Sequence, residues 1–206
     1  MLITRPNHDI TTNYLFYWST LLIEQAKKSG KVVTDLNQKR ANAKEFASVV
    51  KKTRPAMIVL NGHGDHSTVT GYDNEPLVTK NDNPEILAGT VVFARACQSA
   101  LELGEEAVKR GCKAYIGYND DFVFVTEDGK ETHPLQDSTA KLFIEPSNHV
   151  VISLLKGHSP SEANSRSRAM CLKTIQKLMS SSASQDDSEL VPNLAWNYAH
   201  QVCLEK

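Results

Sequence analysis

Two short apolar runs constrain this chain more than anything else in it. Ala56-Met57-Ile58-Val59-Leu60 and Thr90-Val91-Val92-Phe93-Ala94 are apolar without alternation, and a strand reads that way when both of its faces are buried. Their neighbours fit the same scheme. Leu2-Ile3-Thr4, Lys31 to Leu36 and Lys113 to Gly117 read as further strands, and Phe122 to Val125 as one more. Between them, apolar residues recur at helical spacing. Leu15, Trp18, Leu22 and Ala26 form one stripe closed by Gly30; Ala43, Phe46, Ala47 and Val50 form a second that must end near Arg54, ahead of Pro55. A third helix runs through Leu101, Ala107 and Val108 and closes at Gly111. Strands alternating with helices predict an α/β fold with a mainly parallel sheet flanked by helices.

The stretch from Gly62 to Gly89 turns polar, with Gly, Asp, Asn and Pro, and reads as a loop or hairpin excursion. The last third is more helical. Ser159 is placed to cap a helix with Pro160 in its first turn, running to about Met179. Ser180 to Ser188 reads as a flexible surface loop or linker. Leu194, Tyr198 and Val202 recur every four residues, so 190–206 reads as a closing segment built on a helix. A chain of 206 residues suits one domain spanning 1–206, since domains run to about 100–200 residues.

Charge and cysteine usage narrow the function classes. With 23 Lys+Arg against 24 Asp+Glu, the net charge is −1, which offers phosphate backbones and anionic lipid no general attraction. Nucleic acid is therefore not the expected partner. The start, Met1-Leu-Ile-Thr-Arg-Pro, lacks the pattern of a secretory signal, and no apolar run reaches membrane-spanning length. A cytoplasmic protein without membrane contact is the expectation. Cys97, Cys112, Cys171 and Cys203 follow no CxxC or disulfide spacing, as expected in a reducing compartment. Cys112, Cys171 and Cys203 read as small buried hydrophobes.

Cys97 differs because of where it falls. An open α/β sheet places its ligands beyond the carboxyl ends of its strands. Asn61-Gly-His63-Gly64-Asp65-His66 follows directly on the strand ending at Leu60, and Ala94-Arg-Ala-Cys97-Gln-Ser-Ala100 on the strand ending near Phe93. If these strands are sheet neighbours, His63 faces Cys97 over the sheet edge. A free thiol, with a pKa of about 8.5, is only partly ionised at neutral pH, and an adjacent imidazole can take its proton. Cys97 also falls at the expected start of the third helix, where the amino-end partial charge favours an anion. The backbone N–H groups of Gly64 and Cys97 are placed to hold the oxyanion of a tetrahedral intermediate. Neither a lone His-Gly nor a lone Ala-Cys is specific; the pair after two consecutive buried strands is.

Asn-Gly-His63-Gly64 and Ala-Arg-Ala96-Cys97 together resemble the His-Gly and Ala-Cys boxes of the caspase-like (clan CD) cysteine peptidases, which include caspases, gingipains, clostripain, separase, legumain and the bacterial CHAT proteases. The bacterial CHAT and gingipain-like branches look most similar, and the resemblance covers roughly residues 1–125 as an ordered series of elements. It implies a caspase-like three-layer sandwich. It also implies a dyad in which His63 is general base or acid and Cys97 the nucleophile. Peptide bonds would be cleaved through an acyl-enzyme thioester, with no metal, no cofactor and no third orienting residue required. A polypeptide substrate and a regulatory or activating protein are the partners it implies, with bacterial defence as a setting; a latent enzyme awaiting a cut in Ser180–Ser188 or dimerisation fits the same family.

Members of that family select the residue before the scissile bond by a charge beside the Cys, and here two candidates have opposite meanings. Asp120 and Asp121, after the strand ending at Gly117, would favour Arg or Lys, and read equally as a solvated turn. Arg5, after the first strand, resembles the arginine with which caspases recognise aspartate, and reads more simply as a surface charge. Asp73 and Glu75, in the loop after His63, either line a substrate groove or belong to a hairpin turn. Two readings from other classes stand beside the peptidase. One is a non-catalytic binding module on the same fold. The other is a metal-dependent hydrolase built on His63, Asp65 and His66, which lacks a first His because Asn61 holds that position, and lacks a second ligand cluster.

Overall fold

Successive residues of a strand project to opposite faces of its sheet, and in this chain both are apolar. The computed structural model describes residues 1–180 and 188–206. Leu2, Ile58, Val92 and Tyr115 enter one buried cluster, while their neighbours Ile3, Val59, Phe93 and Ile116 enter another. These strand residues belong to β1 (Leu2–Arg5), β3 (Met57–Asn61), β6 (Val91–Arg95) and β7 (Ala114–Tyr118). With β2 (Thr34–Asn37) and β8 (Gln201–Glu205) they form a six-stranded sheet in the order β2-β1-β3-β6-β7-β8. All pairings are parallel except β7 with β8.

Helices α1 (Ile10–Lys28), α4 (Ser138–Leu155), α5 (Pro160–Leu178) and α6 (Val191–His200) cover one face. On the other lie α2 (Ala43–Thr53), α3 (Glu102–Lys109) and the antiparallel hairpin of β4 (Thr68–Thr70) and β5 (Pro76–Thr79). The sequence signals for these elements have identifiable physical counterparts. Ser159 caps α5 in a reciprocal box with Glu162, and Arg54 ends α2 in a left-handed conformation just before Pro55. Helix α4 was not anticipated by residue number. It contains Pro146, whose carbonyl accepts the Ser167 hydroxyl at 2.7 Å, so the interruption is stitched to α5.

Three expectations are corrected. Strand β2 begins at Thr34 rather than Lys31, and Val32 is 84% exposed, so the first half of that run is a surface connection. Phe122 to Val125 is not a strand. The edge of β7 that it would have paired with is occupied by β8, and the segment is instead held by a side chain: Asn197 accepts from the Val123 N–H at 3.0 Å and donates to its carbonyl at 2.6 Å. Phe122 and Phe124 turn inward against Tyr118 and Tyr14. The closing helix stops at His200, and Val202 lies in β8, opposite Gly117. The Ser180–Ser188 linker falls almost wholly outside the described residues. No helix among the described residues is long and apolar enough to cross a membrane.

Because Asn197 alone pairs the backbone of Val123, Asn197→Ala should leave two half-buried backbone groups unpaired. We expect a loss of about 1–3 kcal/mol in urea unfolding, with the fold retained.

Candidate active site

Strands β3 and β6 pair in parallel with Asn61 opposite Arg95. His63 and Cys97 each lie two residues beyond that last pair, so their chains leave the sheet side by side. The glycines flanking His63 are fixed by what crowds them. A methyl group on Gly62 would sit 2.2 Å from the Thr70 carbonyl oxygen, and one on Gly64 would sit 2.9 Å from the carbonyl oxygens of both Cys97 and Thr68. The Gly-His-Gly spacing is thus the trace of a backbone squeezed between the β4–β5 hairpin and the cysteine turn. Thr70 N–H and Asp65 N–H bond the His63 and Thr68 carbonyls, so Gly64 is a non-hydrogen-bonded partner of Val69 and turns its own N–H away from the hairpin. Among the described residues, neither the Gly64 nor the Cys97 N–H reaches a protein carbonyl, as donors reserved for an oxyanion would be.

The imidazole of His63 is not alone. Its Nε2 lies 2.7 Å from Asp9 Oδ2. Asp9 is the N-cap of α1, and its other oxygen accepts the Thr12 N–H at 2.7 Å. Burial works against this carboxylate's charge, but the bonds from Thr12 and His63 outweigh it and hold Asp9 below the usual carboxylate range. With Nε2 engaged, Nδ1 is the nitrogen left for a reacting group. The sequence reading missed Asp9. Its visible signal, Asp9-Ile-Thr-Thr12 ahead of an apolar stripe, announces only a helix cap.

Cys97 departs from expectation in one respect. Helix α3 begins at Glu102, and residues 97–101 form turns, so the thiol has no helix amino end beneath it. The α3 amino end is instead met by the His66 carbonyl, which accepts the Glu102 and Leu103 N–H groups at 3.0 and 2.9 Å and ties the histidine loop to the cysteine loop. The turn is tight. Gln98 takes φ 57°, a left-handed conformation that costs a non-glycine residue about 1 kcal/mol or more. Its N–H donates to the Asp120 carbonyl at 3.0 Å and its side-chain amide to Asp121 Oδ1 at 2.9 Å. Asp121 is thereby drawn beside the thiol. Burial raises the Cys97 pKa, hydrogen bonding from the Phe122 backbone offsets this in part, and the Asp121 carboxylate raises it further. The resting group is therefore the neutral thiol.

The other singled-out residues separate clearly. Arg5 is only 7% exposed, and its guanidinium is held by the Asp35 carboxylate, the Phe16 carbonyl and the Thr20 hydroxyl. Asp120 bonds the Asp121 N–H. Asp73 and Glu75 are exposed in the hairpin connection, where their neighbours Tyr72 and Asn74 meet His8. Asp65 turns its carboxylate onto Ser67, so it and His66 do not gather with His63. Arg95 points to the opposite face, buried against Asn148. Burial pushes the Cys112 and Cys171 thiols up to about 11 and Cys203 to about 12, which leaves all three inert at neutral pH. No protein-family model matches the chain, and no curated protein is significantly similar to it.

Two outcomes follow from this geometry. In pH-dependent alkylation by iodoacetamide, Cys97 should titrate above an ordinary cysteine, and Asp121→Asn should move that midpoint down because a charge disfavouring the thiolate is gone. Gly64→Ala forces a methyl group against two backbone carbonyls, and should lower stability by about 1–3 kcal/mol in thermal melts.

Proposed function

We propose that this chain is a cysteine endopeptidase of the caspase-like kind, with Cys97 as nucleophile and His63 as its proton acceptor and donor. The observation that carries the reading is the side-by-side exit of the two loops from paired strands, which sets the Gly64 and Cys97 backbones against each other at the sheet's carboxyl edge. The strand order, with an antiparallel strand at one edge, supports a caspase-like three-layer sandwich.

In this reading the Cys97 sulfur, its proton passed to His63 Nδ1, attacks the substrate carbonyl carbon. The oxyanion takes the Gly64 and Cys97 N–H groups. His63 then gives its proton to the departing amine as the C–N bond breaks, leaving a thioester that water, deprotonated by His63, hydrolyses. Asp9 orients the ring throughout, in the manner of a third triad member.

Asp121 supports cleavage after Arg or Lys. It lies beside the thiol, is exposed, and borders Trp196, whose indole N–H donates to the Asp121 carbonyl at 3.1 Å. A cationic side chain docking there neutralises the charge that holds the thiol protonated, so binding the right residue also eases thiolate formation. The same raised thiol favours a second state of the molecule, a latent form that gains activity only when substrate or a regulatory protein rearranges the 119–122 loop.

A fluorogenic peptide panel with Arg, Lys, Asp or Leu before the reporter tests this. We expect cleavage after Arg or Lys, lost in Cys97→Ala and reduced about 10²-fold in Asp9→Asn. Activity that survives Cys97→Ala overturns the dyad. Preference for Asp overturns the acidic pocket.

A further inference from the structure

Beside the dyad, two imidazoles converge on one carboxylate oxygen. His63 Nε2 lies 2.7 Å from Asp9 Oδ2, and His8 Nε2 lies 3.5 Å from the same atom. Among the described residues, His8, Asp9 and His63 are the one group of His, Cys, Asp and Glu side chains whose ligand atoms gather closely, all within 4.8 Å of one another. We propose that these three side chains bind a divalent transition-metal ion of the zinc kind, and that the ion acts as a reversible brake on the site.

Several features fit such a site. Ligand atoms around tetrahedral zinc lie about 3.3–3.5 Å apart, so the His8 approach already has that spacing and His63 must draw back slightly. Two imidazoles and a carboxylate form a borderline-soft set that suits zinc rather than calcium or magnesium. Asp9 is held as metal-binding carboxylates are: one oxygen is fixed by the Thr12 N–H and hydroxyl at 2.7 and 2.8 Å, and the other faces the two imidazoles, where an ion would replace its bond to His63. Asn74 Oδ1 lies 3.2 Å from His8 Nε2 and adds a further oxygen beside that nitrogen.

His8 supplies a separate observation. Its side chain is 8% exposed and its Nδ1 is buried without a hydrogen-bond partner. Its Nε2 faces Asp9 Oδ2 and Asn74 Oδ1, so burial holds the ring with that nitrogen turned into the cluster. An open surface depression of about 400 Å³ lined by Asn7, His8, Asp9, Ile10 and Asn13 borders two of the three ligands. The braking role rests on the peptidase reading: zinc would take Asp9 from His63 and fix the ring on the metal. Binding itself does not depend on that reading.

The test is zinc alone, titrated calorimetrically into the full chain as wild type, Cys97→Ala, His8→Ala and His63→Gln, with circular dichroism of each. Wild type and Cys97→Ala should bind one equivalent equally well, and the two histidine variants at least about tenfold more weakly. Cobalt should give a tetrahedral visible spectrum without a thiolate charge-transfer band. His63 is 38% exposed at its side chain, so His63→Gln keeps the test decisive even where His8→Ala disturbs the fold. Affinity that falls in Cys97→Ala, affinity unchanged in the histidine variants, or no binding by wild type overturns the site. Inactivity of the metal-free protein on peptides overturns the peptidase reading alone.

Discussion

Everything at the candidate site depends on one backbone register. Parallel pairing of β3 with β6 ends at Asn61 opposite Arg95, and both chains leave the sheet at the same height. A slip of one residue would reverse the facing of every side chain on a strand, and here the two buried clusters resist that. Val59 and Phe93 belong to one face, Ile58 and Val92 to the other. Because both faces are apolar, the register is held by how these particular side chains pack in the two clusters, and the register sets the two loops together.

The site is also tied together across its loops. The His66 carbonyl holds the amino end of α3, Thr70 holds the His63 carbonyl, and Gln98 bridges to both Asp120 and Asp121. Two carboxylates then act on different partners. Asp9 is bonded to the imidazole and to its own helix cap, so its effect is orientation. Asp121 is exposed beside a half-buried sulfur, so its effect is on charge: it favours the neutral thiol of Cys97.

The sheet was legible because its central strands are unbroken apolar runs, and the two boxes were legible because they follow those runs directly. The misses share a cause. Phe122 to Val125 has strand composition, yet its pairing edge belongs to β8, more than seventy residues later, and no local pattern announces that competitor. Cys97 reads as a helix start because the helical pattern through Leu101, Ala107 and Val108 follows it, but the strained Gln98 and its bonds to the 119–121 segment delay the helix to Glu102. Asp9 falls in a polar turn that carries no mark of chemistry; that its second oxygen meets His63 follows from β1 lying beside β3, which only the three-dimensional pairing reveals. Arg5, read from sequence as a surface charge with recognition of aspartate as the other meaning, is buried and committed to Asp35 within the fold.

The apolar character of both sheet faces has a consequence for how a protein of this architecture can change. A sheet with one wet face can drift at every second strand residue. Here positions such as Leu2 and Ile3, or Val92 and Phe93, are all fully buried, so the central strands hold little neutral ground for substitution. Variation falls instead to the edge strands β2 and β8 and to the loops, so exposed residues such as 73–75 or Asp121 can change while the register that sets the His63 and Cys97 loops side by side stays untouched.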